Sequence, residues 1–286
     1  MSEVKALDRR ALDQHPLPPV VDGDKETKGR ILVLAGSREV PGAALLTATA
    51  AMRAGAGKLR ISTVESVAIA LGIAMPEAMV VGLDEDSEGG FAASTLSDVA
   101  KQAASADCVV AGPGMSPGPV CGQIADALLA TNAALALDAA LLHSLKPPAD
   151  DRAIPPVLLP HAGELASLLD CDEQQIEDDP IGCGLHAARR YRSLVLVKGV
   201  ASHVVTPDGH AWRYEGGAPG LGVSGSGDAL AGIVGGLLAR GAPPLNALLW
   251  AVWLHGEAGA RLAEKVGPIG FLAREIADEV PGLLLG

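Results

Sequence analysis

Residues 31–63 read ILVLAGSREVPGAALLTATAAMRAGAGKLRIST, and their pattern decides the fold. Positions 31–35 are apolar throughout, as expected of a strand covered on both faces inside a parallel sheet. Gly36-Ser37 and Pro41-Gly42 punctuate the chain, and 43–54 has helix-forming composition. After Gly55-Ala56-Gly57 a second strand is expected at 58–63. Strand, loop, helix and strand in this order make one crossover unit, which joins parallel strands right-handedly.

The alternation repeats downstream. Strands are expected at 79–83, Cys108–Ala111, 134–138, 157–159 and 194–198, with helices at 92–105, 120–131, 163–169 and 181–192. This predicts an α/β protein, a three-layer αβα sandwich around a mostly parallel, doubly wound central sheet. After 198 the pattern changes. Residues 203–206 and Ala211–Tyr214 flank Pro207-Asp208-Gly209, which is the turn chemistry of an antiparallel hairpin. A Gly-rich stretch (216–227) and three helical segments follow. Without an internal repeat or a long linker, 28–286 reads as one domain behind an N-terminal arm (1–27); the Pro-rich pieces at 16–19 and 147–156 read as loops.

Composition narrows the class. Of 286 residues 49% are hydrophobic but only 2% aromatic, so Ala, Val, Leu and Ile must build the core. A net charge of −12, from 22 Lys+Arg against 34 Asp+Glu, leaves no evident basic face for a nucleic-acid backbone. The opening MSEVKALDRRALDQHPLPPV lacks the apolar core of a signal peptide, and Pro76 and Glu77 interrupt an apolar stretch well short of a membrane span. Cys108, Cys121, Cys171 and Cys183 form no Cys-x-x-Cys pair and read as reduced thiols of a cytoplasmic protein.

Two apparent nucleotide motifs fail on context. Gly220-Leu221-Gly222-Val223-Ser224-Gly225 matches G-x-G-x-x-G, yet Pro243 and Pro244 stand where a second strand should end in an acid. Gly55-Ala56-Gly57-Lys58 has Met52 and Leu59 where a P-loop needs Gly and Ser or Thr.

Gly225-Ser226-Gly227-Asp228 is more informative. Glycines let successive N–H groups converge, and a helix starting there adds unpaired amides and its dipole, a site for anions. A carboxylate in that first turn can take a proton from a hydroxyl while the amides hold a transferred phosphoryl group; Asp also caps helices with no catalytic role. Lys198-Gly199-Val200-Ala201-Ser202 leaves a strand's C-terminal end, where such sheets bind ligands, and the Lys could meet a nucleotide phosphate. Gly112-Pro113-Gly114, His161-Ala162-Gly163-Glu164 and Gly36-Ser37 with Pro41-Gly42-Ala43 also follow strands, each compatible with an ordinary turn. Five such loops on one sheet edge would line a single cleft.

These segments together resemble the nucleotide-dependent NAD(P)H-hydrate dehydratases of the ribokinase-like superfamily. The match is carried by Lys28-Gly29, the stretch 32–59, Gly112-Pro113-Gly114, Leu159-Pro160 with His161-Ala162-Gly163-Glu164, Lys198-Gly199, and Gly225-Ser226-Gly227-Asp228. The resemblance spans about 28–280. It implies a substrate, the S epimer of NADH or NADPH hydrate, whose ring hydroxyl is phosphorylated by ADP or ATP and then eliminated. It implies Mg²⁺ with the nucleotide and a homotetramer. It places the hydrate on Ala43, Gly114 and His161, and the nucleotide on Lys198, Gly199, Val200, Ala201, Ser202 and Gly227. Asp228 falls where the family's acid faces the substrate hydroxyl, as general base, with Gly225, Ser226 and Gly227 as the anion hole. Glu164 is the one weak metal candidate. Departures are Ala162, Ser202 and Ser226, where the family usually has Pro, Thr and Thr; each keeps size or hydroxyl. An epimerase domain is expected to be missing, so that a separate epimerase would be the functional partner. Rival expectations are a ribokinase-superfamily kinase of a vitamin-precursor alcohol, and a nucleotide sensor without catalysis.

Overall fold

The computed structural model describes residues 4–19 and 28–285. Ten strands form one sheet: β1 (Val4–Ala6), β2 (Arg30–Leu34), β3 (Lys58–Val64), β4 (Ala78–Leu83), β5 (Cys108–Ala111), β6 (Ala134–Leu137), β7 (Val157–Leu158), β8 (Leu194–Val197), β9 (Ser202–Val205) and β10 (Ala211–Tyr214). Their order is β1-β10-β9-β8-β7-β6-β5-β2-β3-β4. Every neighbouring pair is parallel except β8–β9 and β9–β10, so β9 alone runs backwards. Strand order reverses between β2 and β5, the kind of switch point where the connecting loops part and leave a crevice. The sheet therefore has the α/β, doubly wound form expected of 31–63 and its repeats.

Eleven α-helices cover it: α1 (Arg9–Asp13), α2 (Pro41–Arg53), α3 (Glu65–Ala74), α4 (Leu96–Ala104), α5 (Pro119–Leu129), α6 (Ala162–Leu169), α7 (Glu173–Asp178), α8 (Pro180–Tyr191), α9 (Ser226–Ala239), α10 (Pro244–Lys265) and α11 (Ala273–Leu284). Alternate residues of β2 serve two cores. Ile31 and Val33 pack in the layer of α2, α9, α10 and α11, while Leu32 and Leu34 pack in that of α4, α5, α6 and α8. Burial on both faces explains why β2, β5, β6 and β8 show no polar alternation.

Four elements, β1, α1, α3 and α7, depart from the sequence expectation. Within the arm, Val4–Ala6 pairs with β10 as an edge strand and Trp250 donates its indole N–H to His15 O at 2.8 Å. The arm's described part thus belongs to the sheet, and the rest of 1–27 (1–3 and 20–27) lies outside the described residues. α3 has an apolar run without a polar face, and α7 is a short acidic turn before Pro180, so neither carried a helical period.

The closest approach between helices sets the position of α9. Cβ atoms built on Gly232 and Gly236 would lie 2.2 Å from Thr47 O and 2.4 Å from Ala51 O on α2. Only glycine permits that separation, which holds the start of α9 over the C-terminal ends of β5 and β6. Ala at Gly236 would gain helix propensity of about 1 kcal/mol, but overpacking against a fixed carbonyl costs about 1–3 kcal/mol. The contact is with backbone, which has no rotamer to yield. Gly236→Ala is expected to melt lower, by about 2–4 °C per kcal/mol lost, in a calorimetric scan.

Candidate functional site

Because β2, β5, β6, β7 and β8 are parallel, the loops leaving them share one edge. The chain ties these loops to one another. Gly36 N donates to Pro113 O at 2.8 Å, and Lys198 N to Pro160 O at 2.9 Å. Gly112, at φ +117°, lies so near β6 that a Cβ would stand 1.8 Å from Asp138 O. Gly114, at φ +63°, is against Ala43, whose Cβ lies 2.5 Å from the position a Gly114 Cβ would take. Ala43 and Gly114 thus form one wall.

The floor is ionic. Lys198 Nζ lies 2.7 Å from Asp138 Oδ1 and 3.7 Å from Glu164 Oε2. Both carboxylates are deeply buried, Asp138 at 3% and Glu164 at 6% exposure. Desolvation opposes the lysine's charge, but Asp138, Glu164 and Asp228 together outweigh it and raise its pKa, so the ammonium stays charged. This side chain, expected to meet a nucleotide phosphate, is here in contact with two carboxylates. Its charge is held by carboxylates, although Nζ sits 3.8 Å from where a Gly227 Cβ would be, under the α9 loop. Sequence reading passed over Asp138 as the last residue of a strand. Its signal was a lone acid ending an apolar run, and the following Ala139 takes a left-handed φ of +48°.

The α9 start bears the next correction. Ser226 N is spent on Val223 O at 3.2 Å, so it cannot serve an anion hole. The amides of Gly227 and Asp228 have no hydrogen-bond partner among the described residues, and Gly225 makes the turn into the helix at φ +90°. Asp228 is half-buried, and its carboxyl is pushed up to about 6, by desolvation first and by Asp138 second, against the pull of Lys198. A carboxylate so placed is a base poised near neutrality. The hydroxyl of Ser226 lies 2.9 Å from His255 Nε2, a residue that no motif had singled out.

His161 has a structural task. Its Nδ1 accepts from the amides of Gly163 (3.1 Å) and Glu164 (3.3 Å), capping α6, while Glu164 Oε2 accepts from His161 N at 2.8 Å. The ring is largely exposed, with Nε2 3.4 Å from Glu164 Oε1, and the backbone of His161 forms a parallel bridge with that of Lys198. Gly199 and Val200 are exposed and Ala201 half-buried in the turn between β8 and β9, and the half-buried Ser202 opens β9. Glu164, committed to its cap and to Lys198, is withdrawn from metal binding. Among the described residues no three His, Cys, Asp or Glu side chains converge on a metal position. A cavity of about 480 Å³, lined by Arg30, Lys58, Arg60, Gln102 and Ser105, opens at the opposite ends of β2 and β3 and takes no part in this cleft.

Residues 31–282 match the family described as NAD(P)H-hydrate dehydratase. An ADP-dependent (S)-NAD(P)H-hydrate dehydratase of Xanthomonas campestris is 46% identical over 284 residues, covering 98% of this chain and 96% of that protein. A bifunctional NAD(P)H-hydrate repair enzyme of Moorella thermoacetica is 32% identical over 268 residues; the match covers 92% of this chain but spans 50% of that protein. Among solved structures, the ADP/ATP-dependent NAD(P)H-hydrate dehydratase of Bacillus subtilis, co-crystallised with ATP/Mg²⁺, superposes with a TM-score of 0.86 at 27% identity, covering 100% of this chain and 99% of that one.

Asp228 gives a test that needs no substrate. Its folded pKa of about 6 lies above the ordinary 3.8, so folding favours its protonated form. The contribution of this one group to stability is therefore greatest below pH 3.8, declines as pH rises through about 6 and is gone above that. Asn is neutral at every pH. Asp228→Asn is expected to melt higher than the parent at pH 8, with the gap closing towards pH 4, read by thermal scans across that range.

Proposed function

The chain belongs to the NAD(P)H-hydrate dehydratase family, and on that premise we propose that it repairs the S epimer of NADH and NADPH hydrate at the cleft around Asp228, with ADP as phosphoryl donor. The observation that carries this reading is one helix start, where a carboxyl with a pKa of about 6 stands beside the free amides of Gly227 and Asp228.

The chemistry follows from leaving groups. Hydroxide leaves poorly, its conjugate acid having a pKa of about 15.7, whereas hydrogen phosphate is a far weaker base, its conjugate acid ionising near neutrality much as a phosphate monoester does at about 6. Asp228 accepts the proton of the ring hydroxyl as its oxygen attacks the terminal phosphoryl group, releasing AMP from ADP. Developing charge on that group meets the amides of Gly227 and Asp228. The ring nitrogen's electron pair then expels hydrogen phosphate from the monoanionic ester, and the adjacent ring carbon gives up its proton to water as the double bond re-forms. Lys198, beneath Gly227, adds positive potential without leaving its carboxylates.

In the proposed map the hydrate lies on Ala43, Gly114, His161 and Asp228. The nucleotide runs along Lys198, Gly199, Val200, Ala201 and Ser202 to Gly227, and Gly225 and Ser226 shape the turn. Mg²⁺ would neutralise charge on the nucleotide phosphates. Asp138 and Glu164 are committed to Lys198 and offer it no cage, so it would arrive with the nucleotide. Residues 28–286 act as one ribokinase-like catalytic domain. Copies assemble as a homotetramer, a reading supported by an apolar strip at the sheet's β4 end, where Ile69, Ile73 and Met79 are 81%, 79% and 59% exposed. Free thiols at Cys108, Cys121, Cys171 and Cys183 suit the cytoplasm. The R epimer is passed on by an NAD(P)H-hydrate epimerase. A small-molecule kinase on the same fold is not favoured, since its product would keep the phosphate and the relative at 46% identity is named a dehydratase.

Incubation with ADP and NADH hydrate is expected to restore the absorbance of the reduced ring; a stable phosphorylated product would mark a kinase instead. Asp228→Asn should lower turnover by about 10²–10⁴ with ADP affinity within a few-fold, and turnover at the parent rate would remove Asp228 as base. Since the base must be ionised, kcat/KM of the parent should fall as pH drops below about 6. His161→Ala should weaken hydrate binding more than ADP binding, read from separate titrations.

A further inference from the structure

α9 begins without a side-chain cap: its N-cap is Gly225, and no side chain accepts from the first-turn amides. Glycines on both sides of Ser226 leave this turn little stiffness of its own. Besides its own backbone bonds, Ser226 N to Val223 O and Ala229 N to Gly225 O, side chains of other helices fix it. Thr47 Oγ1, fully buried on α2, donates to Asp228 O at 3.1 Å. From α10, His255 Nε2 lies 3.1 Å from Ser226 O and 2.9 Å from Ser226 Oγ. A carbonyl oxygen only accepts, so Nε2 carries the proton and donates.

We infer that His255 is a positioning residue for the phosphoryl-transfer step, holding the Ser226 carbonyl so that the Gly227 amide is aimed at the transferred group. The peptide plane supplies the lever. The C=O of Ser226 and the N–H of Gly227 belong to one rigid unit and point in opposite directions. Anchoring the carbonyl towards α10 turns the amide away from it, into the cleft beside Asp228. Burial, with Lys198 adding to it, pushes the ring's pKa down to about 4, so the ring is neutral and its single proton is the one on Nε2. His255 touches no reacting atom.

The inference rests on the dehydratase reading, and the test keeps the two apart. In His255→Gln the side-chain amide nitrogen reaches about as far as Nε2 and can donate to Ser226 O; in His255→Asn it falls short. With ADP and NADH hydrate, His255→Asn is expected to lose about tenfold in kcat, with ADP affinity changed less than threefold and melting matched to His255→Gln. His255→Gln should stay within threefold of the parent. The ¹⁵N relaxation order parameter of the Gly227 amide should fall in His255→Asn and persist in His255→Gln, a readout that needs no turnover. Equal kcat in the two variants, or a Gly227 order parameter unchanged by Asn, would overturn the inference. A parent inactive on the hydrate would overturn the dehydratase reading and leave the relaxation experiment to decide this one.

Discussion

One ammonium group holds the cleft together. Lys198 reaches from the end of β8 to Asp138 at the end of β6 and to Glu164 on α6, and its charge acts on Asp228 at the start of α9. Asp138 and Glu164 are both buried, and burying carboxylates is costly unless they are paired, as these are with the lysine. The pair is better read as a device for placement than as a source of stability, because desolvation offsets much of its attraction. Removing the lysine alone would strand both acids at a cost of about 3–5 kcal/mol. The same cation tempers Asp228, which burial and Asp138 raise and Lys198 lowers, leaving it close to neutrality.

Placement of α9 rests on a different interaction. Its glycines let it approach α2 closely enough for Thr47 to serve both as packing surface and as donor to Asp228 O. Backbone approach, rather than side-chain bulk, therefore decides where the amides of Gly227 and Asp228 lie. A chain with 35 Gly and few aromatics can build such contacts, since small residues permit short distances between helices.

The architecture was legible wherever physics acts along the chain. Apolar runs without alternation gave the parallel strands, and Pro207-Asp208-Gly209 gave the hairpin of β9 and β10 in its observed place. Gly225 and Asp228 were readable because a helix start leaves a local signature. What escaped was set by contacts distant in sequence. Asp138 and Lys198 are 60 positions apart, and Ser226 and His255 are 29 apart, so neither pair leaves a pattern in any window. Edge strand β1 is three residues of unremarkable composition, made into a strand only by β10. His161 read as a ligand or a surface residue, and its capping of α6 was missed because histidine rarely fills a position that favours Ser, Thr, Asp and Asn.

The raised pKa of Asp228 bears on how a phosphoryl-transfer scaffold can perform a dehydration. A carboxylate at its ordinary value would be a weak base towards an alcohol, whereas one near 6 is stronger yet still ionised at neutral pH. In the proposed mechanism, once the hydroxyl has become a phosphate ester, the same helix start would face the departing hydrogen phosphate dianion, whose charge the Gly227 and Asp228 amides would stabilise. Elimination then needs no acid beyond the ester's own proton, because the monoanionic ester departs as hydrogen phosphate, the ring nitrogen supplies the electrons and water takes the proton of the adjacent carbon. Transfer and elimination thus make the same demand on the protein, stabilised negative charge at the start of α9, and that shared demand explains how one cleft could serve both steps.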